Sequence, residues 1–453
     1  NAGEQAALQK MEELKALARK QDEKDTIARG VYENFEKINI SSLTIEGNNT
    51  YPRAYILGKL RLRYNSQYSL IDLTNGINNL AATGNFNRIN YRLIPNDTSY
   101  TLAVQLEESE TKSYLRLALH YDNLYKSAAL VNLTRRSSLV TNDVTSLDLI
   151  LGDNFRYNFQ YYIDKGYYWS FGLKSRYNSF NHGIDYDLVQ ENATLIDVGI
   201  NQIELDYQDL TNQLYFETLF RQVFSLGIGL EHKFLRLASE TLMNENAQRV
   251  SALVFDKSNY YSTFGYLKFD SYDNRYFPTK GVYFDGDFHL YLLSSNYNKD
   301  FSEFSITKGE VGYAFSPFYN FTTRISSETG FRIGNDGNSS LDFFLGGYGN
   351  DLINNLIPFY GYDYISISGD SYIKGMLEVD YEFYPNNHLV ASANFANVEN
   401  ELYTTGNWFS APEYSGYALG YGLETFLGPI EIKYSISPEV KRSQWFFSLG
   451  FWF

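Results

Sequence analysis

The chain carries its clearest pattern in the stretch that follows Asp270, where apolar and polar positions alternate. One set of alternate positions is apolar or glycine: Val282, Phe284, Gly286, Phe288, Leu290 and Leu292. The positions between them are mostly polar or tyrosine: Gly281, Tyr283, Asp285, Asp287, His289 and Tyr291. Because successive side chains of a strand point to opposite faces, this pattern predicts one face for an apolar medium and one for water. It runs for about twelve residues, which exceeds the five or six of an average strand and suffices for a tilted transmembrane strand.

Comparable stretches recur along the second part of the chain and predict an antiparallel transmembrane β-barrel of about sixteen strands. The predicted strands are 113–121, 126–135, 144–153, 155–164, 167–180, 194–208, 224–238, 258–270, 280–293, 303–316, 319–333, 371–384, 388–397, 416–427, 429–437 and 443–453. The least regular stretch is 209–223, because Leu214 to Phe224 could form one strand more.

The connections between these strands differ in length according to their order. Those after even-numbered strands are mostly short, such as Asp164-Lys165-Gly166 and Gly428-Pro429. Those after odd-numbered strands include four long ones, 181–193, 239–257, 334–370 and 398–415. Outer-membrane barrels have short periplasmic turns and long outer loops, so this sorting favours a membrane barrel over a soluble sandwich.

The first part of the chain predicts a linker and a small module. Residues 1–37 contain an amphipathic helix from about 4 to 24, and residues 38–110 follow a βααββ order. The helices of that order are expected at Pro52 to Leu60 and Leu70 to Ala82. We therefore expect three parts: a linker helix (1–37), an α+β module (38–110) and a barrel (111–453).

Composition narrows the function classes. The chain has 41 Tyr and 33 Phe, which suits strands and membrane-interface girdles. A net charge of -15 leaves no basic surface for nucleic acid, and the absence of Cys removes disulfides and thiol chemistry. Mean hydropathy is -0.35 and no apolar run approaches a helical membrane span, but a barrel strand needs only every second residue apolar.

The module resembles a POTRA domain, the periplasmic unit that precedes BamA-like barrels. The resemblance rests on IEGN at Ile45–Asn48, GINNLAATGNF at Gly76–Phe86 and LAVQLEE at Leu102–Glu108. It implies a periplasmic module ahead of an outer-membrane barrel.

Three motifs of the barrel resemble the BamA-like superfamily. The first is DNRYFPTKG at Asp273–Gly281, similar to a periplasmic turn of that superfamily, and the second is YGLETFLGPIEIKY at Tyr421–Tyr434. The third is the aromatic end, Trp445–Phe453, which resembles the signal read by the barrel-assembly machinery. The resemblance assigns the turn to Asp273, Arg275, Phe277, Pro278 and Gly281, and the assembly signal to Phe447, Leu449, Phe451 and Phe453.

The long loop 334–370 departs from that superfamily at its tip. The superfamily carries a Val-Arg-Gly-Phe/Tyr tip inside the barrel, whose Arg meets acidic residues of the inner wall. Here the matching residues are Phe359, Tyr360, Gly361 and Tyr362, so Tyr360 takes the place of the Arg. The expected wall partners are Lys374, Glu378, Asp380 and Glu382. Without the Arg, their carboxylates need another cation, such as Arg332, or water.

That tip and the segment YLRLALHYDNLYKSAALVNLT (Tyr114–Thr134) resemble the patatin-like phospholipases of Bacteroidetes, in which a patatin fold precedes a POTRA module and a barrel. The related type Vd autotransporter PlpD shares this layout. The resemblance implies an outer-membrane anchor and translocation barrel, with the module in the periplasm of a Gram-negative bacterium. It also implies contacts with outer-membrane lipids, the barrel-assembly machinery and an upstream patatin domain. A homodimer and a subunit of a membrane complex are both compatible with it.

No catalytic residues are expected in the chain itself. A patatin Ser–Asp dyad needs Gly-x-Ser-x-Gly on a strand-to-helix turn, and that motif does not occur. The sequences Asp285-Gly286-Asp287 and Asp336-Gly337-Asn338 fall in a strand and a loop, and the five His residues have no metal-ligand spacing. We expect no metal and no cofactor. The alternatives to the anchor are a stand-alone BamA-like insertase or secretion pore, a subunit of an outer-membrane assembly complex, and a passive channel.

Overall fold

The structure is a computed structural model. It describes residues 8, 10–22, 37–62, 65–164, 169–185, 202–220, 223–239, 253–296, 301–334, 339–349 and 355–451. Helix α1 spans Met11–Asp22, so the ends of the helix predicted for 4–24 lie outside the described residues. The chain divides into two compact units: residues 1–48 together with 59–108, and residues 49–58 together with 109–453, the unit that contains the barrel.

The module has the predicted βααββ order with one short strand added. Its elements are β1 (Ile38–Glu46), α2 (Arg53–Leu60), β2 (Ser66–Tyr68), α3 (Leu70–Ala82), β3 (Phe86–Asn96) and β4 (Ser99–Glu108). The sheet order is β2-β1-β4-β3, with β1 and β4 parallel. Helix α3 starts where Ser69 and Asp72 form a capping box, and Leu73 and Leu80 bury its inner face.

The barrel contains sixteen strands, as the alternation predicts, and neighbouring strands are antiparallel. In chain order they are β5 (Ser113–Asp122), β6 (Lys126–Arg136), β7 (Asp143–Gly152), β8 (Arg156–Ile163), β9 (Ser170–Asp185), β10 (Gln202–Phe220), β11 (Phe224–Ser239), β12 (Leu253–Asp270), β13 (Gly281–Asn296), β14 (Phe304–Phe318), β15 (Phe321–Ile333), β19 (Ser371–Tyr384), β20 (Asn387–Glu399), β21 (Tyr414–Thr425), β22 (Gly428–Ile436) and β23 (Gln444–Leu449). The numbers 16–18 belong to three short strands of the long loop, described below. The irregular stretch after residue 208 continues β10 instead of forming a separate strand.

Strand β13 shows how the two faces are used. Val282 and Phe288 are 39% and 46% exposed on the outer wall. On the inner face, Asp285 accepts a hydrogen bond from Lys268 at 2.7 Å, and Asp287 lies 3.7 Å from Lys308. The predicted alternation ends at a β-bulge, where Tyr261 and Ser262 of β12 pair with Leu293 and Tyr291, so Leu292 and Leu293 are both exposed.

Between its first and last strands the barrel closes, as far as residues up to 451 show, through a single ladder pair, Leu449 with Tyr121. Every other neighbouring pair of barrel strands shares at least six paired positions. The Asn123 side chain bridges the gap, because its Oδ1 accepts from the Phe447 amide at 2.8 Å and its Nδ2 donates to the Trp445 carbonyl at 3.2 Å. The last strand is shorter than the predicted 443–453, because Gly450 adopts a φ of 93° that ends it.

The two ends of the barrel differ as the loop lengths predict. We call the end with the fully described turns 137–142, 271–280, 319–320, 385–386 and 426–427 the short-turn end. The other end, here the long-loop end, carries the long connection from β15 to β19, described at 339–349 and 355–370, the connection 400–413, and the shorter ones 123–125 and 153–155. Of the predicted loops 181–193 and 239–257, residues 181–185, 239 and 253–257 belong to strands, and the others lie outside the described residues. Aromatic side chains crowd the short-turn end: Trp169, Phe318, Tyr319, Tyr384 and Phe426 are 46–92% exposed. Such a girdle is typical of a membrane–water interface.

No helix within the described ranges is both long enough and apolar enough to span a membrane.

Candidate functional site

The loop between β15 and β19 folds into a small sheet packed against the inner wall. Its strands are β16 (Phe343–Leu345), β17 (Leu356–Ile357) and β18 (Ile367–Gly369), in the order β17-β16-β18. Phe343 and Phe359 are fully buried, and the Phe343 ring lies 4.9 Å from the ring of Tyr372 on the wall. The loop therefore fills part of the lumen with an apolar core.

The loop tip is held by its backbone. The Tyr360 amide donates to Asn394 Oδ1 at 2.7 Å, and Asn394 Nδ2 donates to the Tyr360 carbonyl at 3.4 Å. The Gly361 amide donates to Ser435 Oγ at 3.1 Å, and its φ of 90° favours glycine. Gly416 lies against the Tyr360 carbonyl so closely that a Cβ there would overlap it. These contacts fix the tip without a charge on the loop.

A buried lysine of the wall replaces the charge that the loop lacks. Lys433 is 5% exposed, and its Nζ donates to the Tyr360 hydroxyl at 3.0 Å. The same Nζ lies 4.4 Å from the centre of the Tyr348 ring, a cation–π geometry, and 3.4 Å from Glu431 Oε1. The Tyr348 hydroxyl donates to Glu431 in turn. The cation thus sits on the wall and the neutral acceptor on the loop.

Glu378 has cation partners that the sequence pattern did not single out. Arg324 Nη2 lies 2.8 Å from Glu378 Oε1, and Lys433 Nζ lies 4.0 Å from Glu378 Oε2. Arg332, the cation suggested from the sequence, instead pairs with Asp342 of the loop at 2.9 Å. The suggestion that Arg332 balances the wall carboxylates is therefore wrong, since β15 presents Arg324, not Arg332, opposite Glu378.

The four residues expected as wall partners divide between two places. Lys374 contacts the loop, because its Nζ donates to the Pro358 carbonyl at 3.2 Å, while Glu378 lies beside Lys433, which contacts Tyr360 of the tip. Asp380 and Glu382 lie nearer the short-turn end. Asp380 pairs with His388 at 2.9 Å, and Glu382 accepts from the Asn386 amide at 2.9 Å. Among the described residues, Lys374 and Glu378 are thus the two near the tip, because strand β19 carries Asp380 and Glu382 one and two steps further along the wall.

The turn 271–280 forms a second obstruction, at the short-turn end. The Phe277 side chain is 6% exposed, and its ring stacks on His388 with centroids 4.0 Å apart. Gly422 leaves the room for it, because a Cβ there would lie 2.6 Å from the Phe277 ring. The turn is also tied to β21, since Asn274 Nδ2 donates to Glu424 Oε1 at 2.8 Å.

Asp273 organises that turn. Its Oδ1 accepts from the Thr279 amide at 2.8 Å and the Lys280 amide at 3.2 Å. Partial burial raises the pKa of Asp273, but the hydrogen bonds from the Thr279 hydroxyl and the backbone amides outweigh burial and hold that pKa below its ordinary value. Pro278 is buried beside Phe277, Arg275 is exposed, and Gly281 closes the turn with a φ of 126°.

The aromatic end of the chain faces outward. Trp445 and Phe451 are 63% and 42% exposed, while Phe447 and Leu449 are partly exposed on the same face. Phe453 lies outside the described residues.

The inner wall also leaves a polar cavity of about 320 Å³ beside β8–β13. Its lining includes Lys174, Arg176, Glu217, Asp287 and His289. Within the described ranges, no group of three or more His, Asp or Glu side chains is placed to hold a metal ion.

The residues that the sequence did not single out are Arg324, His388, Asn394, Lys433 and Ser435. All of them occupy inward positions of their strands. Strand parity could have placed them on the inner wall, but not opposite the loop tip, because that requires the register between strands.

Comparison with known proteins agrees with this architecture. Residues 100–453 match the sequence model of the OMP85 superfamily. Among solved structures, the chain is similar to BamA from Haemophilus ducreyi lacking POTRA domains 1–3, with a TM-score of 0.61, 12% identity, and 91% of this chain and 84% of that chain covered. It is also similar to CdiB from Acinetobacter baumannii, with a TM-score of 0.53, 13% identity, and 92% and 74% covered. A comparison with curated protein sequences found no match.

Proposed function

Because the chain belongs to the OMP85 superfamily, an outer-membrane barrel family, we propose that it is the anchor and translocation barrel of a patatin-like phospholipase. The alternating strands, the closed barrel and the interface aromatics all suit a lipid setting. In this proposal the short-turn end and the module face the periplasm, and the barrel-assembly machinery reads the outward aromatic face of β23.

The loop tip is the observation that carries the patatin assignment. The Tyr360 variant is one of the two features that resemble the patatin-linked barrels, and its docking is complete without an arginine. Lys433 donates to the Tyr360 hydroxyl at 3.0 Å, and Asn394 and Ser435 hold the backbone of the tip. The tyrosine at this position therefore makes specific contacts with the wall. This supports membership of the patatin-linked subgroup over the alternative that the chain is another superfamily barrel that has lost the arginine of its tip.

In this proposal the barrel performs no catalysis, and a patatin domain upstream supplies the hydrolase. The barrel restrains that domain at the membrane while loop 334–370 and Phe277 obstruct the lumen. OMP85 barrels work with other proteins in outer-membrane assembly or secretion, and here the patatin domain is the proposed partner.

The test is to isolate the native protein from outer membranes and treat it with a fluorophosphonate probe that labels active serine hydrolases. We expect a labelled product larger than this chain by one patatin domain. An unlabelled product of the mass of these 453 residues would contradict the anchor proposal.

The second candidate is a stand-alone insertase or secretion pore, and the seam between β23 and β5 favours it. Among the described residues, one ladder pair, the Asn123 side chain and the contact between the Tyr121 and Phe447 rings hold that seam, so a client strand could pair with the edge of β5 or β23. Depletion of the protein followed by quantification of other outer-membrane proteins separates the candidates. An insertase predicts their loss, whereas an anchor predicts unchanged levels.

A further inference from the structure

The outer wall carries a groove of about 630 Å³ across β5–β9, near the short-turn end. Its wall is formed by outward side chains of neighbouring strands, including Leu133, Leu147, Phe159, Tyr161 and Leu173. These positions are paired in register from strand to strand, so the groove runs across the sheet. Its volume is in the range of small-molecule sites, which span about 300–1,000 Å³.

The floor of the groove is a turn that is fixed in place. Asp143 accepts hydrogen bonds from the backbone amides of Ser138, Leu139 and Val140 at 2.5, 2.8 and 2.9 Å. The Tyr161 hydroxyl donates to the same carboxylate at 2.9 Å. This arrangement holds Leu139 at the groove with 81% of its surface exposed, which suits contact with lipid.

One cation lines this apolar groove. Arg135 is the next-to-last residue of β6 and is exposed on the outer wall. It pairs with Ser113 of β5 and Thr145 of β7. Within the part of the chain that the structure describes, its guanidinium has neither a carboxylate within 4.0 Å nor a hydrogen-bond partner. Its neighbour Arg136 points inward and lies over the Tyr114 ring at 4.9 Å. Arg135 is therefore a charge at the membrane interface that the described residues do not neutralise.

We propose that this groove is a binding site for one phospholipid of the surrounding bilayer. The acyl chains lie along Leu133, Leu147 and Phe159, and the headgroup phosphate accepts hydrogen bonds from the Arg135 guanidinium. A phosphate supplies the charge complementarity, since arginine binds it in a planar, two-point geometry. The inference rests on the outer-membrane location of the barrel and is independent of a patatin partner.

A second groove on the outer wall has no cation and serves for comparison with the groove that Arg135 lines. It has about 430 Å³ and is lined by apolar and small residues of β19–β22, among them Leu377, Ala391 and Leu419. No basic residue lines it. We expect it to hold only exchanging bilayer lipid, which makes it the internal reference for the test.

The experiment is native mass spectrometry of the full chain, purified in detergent and supplemented with phosphatidylglycerol. We expect one retained phospholipid, and binding about tenfold or more weaker in Arg135→Gln, because hydrogen bonds to charged groups are the stronger ones. Thr145→Phe, which narrows the groove without removing the cation, should weaken binding comparably. The matched control is Lys126→Gln, which removes a cation from the opposite end of the same strand and should bind as the parent does.

Cross-linking identifies the occupant. Benzoylphenylalanine at Leu139 should capture an alkyne-tailed phospholipid more efficiently than the same probe at Leu377. Equal retention by the parent, Arg135→Gln and Thr145→Phe would overturn the proposal. Equal retention of a neutral diacylglycerol, displacement by inorganic phosphate alone, or capture of a protein in place of lipid would overturn it as well.

Discussion

Replacing Lys433 with methionine tests most directly how the long loop is held in the lumen. The change keeps a long flexible side chain and removes the buried cation that contacts Tyr360, Tyr348 and Glu431. Glu431 and Glu378 lie on the wall with Lys433, so loop docking loses only the contacts of the lysine with the loop: a hydrogen bond to a charged group, worth about 1.5–3 kcal/mol, and a cation–π contact, worth about 0.5–2 kcal/mol. We take about 3 kcal/mol for their sum. At about 1.4 kcal/mol for each factor of ten, loop docking weakens roughly 100-fold.

The assay uses the absence of native cysteine. Ile357→Cys places one thiol just before the loop tip, at a position that is 3% exposed. A water-soluble maleimide should label it slowly in the parent, because labelling follows the population of the released loop. In the Lys433→Met background the labelling rate should rise by up to about 100-fold. Lys433→Arg keeps the charge and should give an intermediate rate.

Lys268→Met is the matched control for this test. Lys268 lies on β12, seven strands from β22 in the barrel order, and pairs with Asp285 of β13. The Lys268→Met substitution should leave the labelling rate of Ile357→Cys unchanged. An unchanged rate in Lys433→Met, with the barrel still folded in detergent, would refute the role assigned to Lys433. An equal rise in both variants would show general loosening of the barrel.

Three further changes test the rest of the plug. Gly416→Ala should release the loop, because its Cβ overlaps the backbone of the tip, and maleimide labelling at residue 357 should rise. Phe277→Ala removes a buried ring and should destabilise the barrel by about 3–5 kcal/mol, measured by thermal unfolding in detergent, and raise conductance in planar bilayers. The lowered pKa of Asp273 means that its contribution to stability is present above the ordinary pKa of about 3.9 and is lost as pH falls through the lower folded value. Hydrogen-exchange protection of the Thr279 amide should therefore be lost in acid below about pH 4.

Each of these changes has its own control. Gly375→Ala on β19, two strands from the strand of Gly416, meets open space and should leave labelling as it was. Phe277→Leu should retain most of the stability that Phe277→Ala loses, and equal losses in both would contradict a packing role. Asp273→Asn cannot titrate, so a Thr279 amide that keeps its acid transition in this variant would show that another group is responsible.

The barrel could be predicted from the sequence because its strands alternate strictly. The apolar positions of β13 reach lipid and the polar ones reach water, and the same rule recovers the number of strands and the two kinds of connection. The predicted strands differ from the observed ones where a bulge or a backbone conformation, which the alternation of side chains does not reveal, changes the strand. The bulge at Leu292 shifts the register of β13, and Gly450 ends β23 early through its backbone conformation.

The site could be predicted only in part, because it depends on contacts between distant strands. The departure at Tyr360 was visible in the sequence, and so was the need for a cation. Which cation serves was not visible: Arg324 and Arg332 lie on the same strand, eight residues apart and both facing inward. The tilt and stagger of the strands decide which one reaches Glu378.

The placement of the cation on the wall has a consequence for the passage beneath the loop. Lys433, Arg324, Glu431 and Glu378 form a patch of two cations and two carboxylates, and the loop tip adds no charge to it. When the loop leaves, the uncovered wall is electrically balanced at this level. We therefore expect ions of either sign to pass it with little preference, so a reversal potential near zero in a salt gradient would accompany any conductance gained in Lys433→Arg or Gly416→Ala.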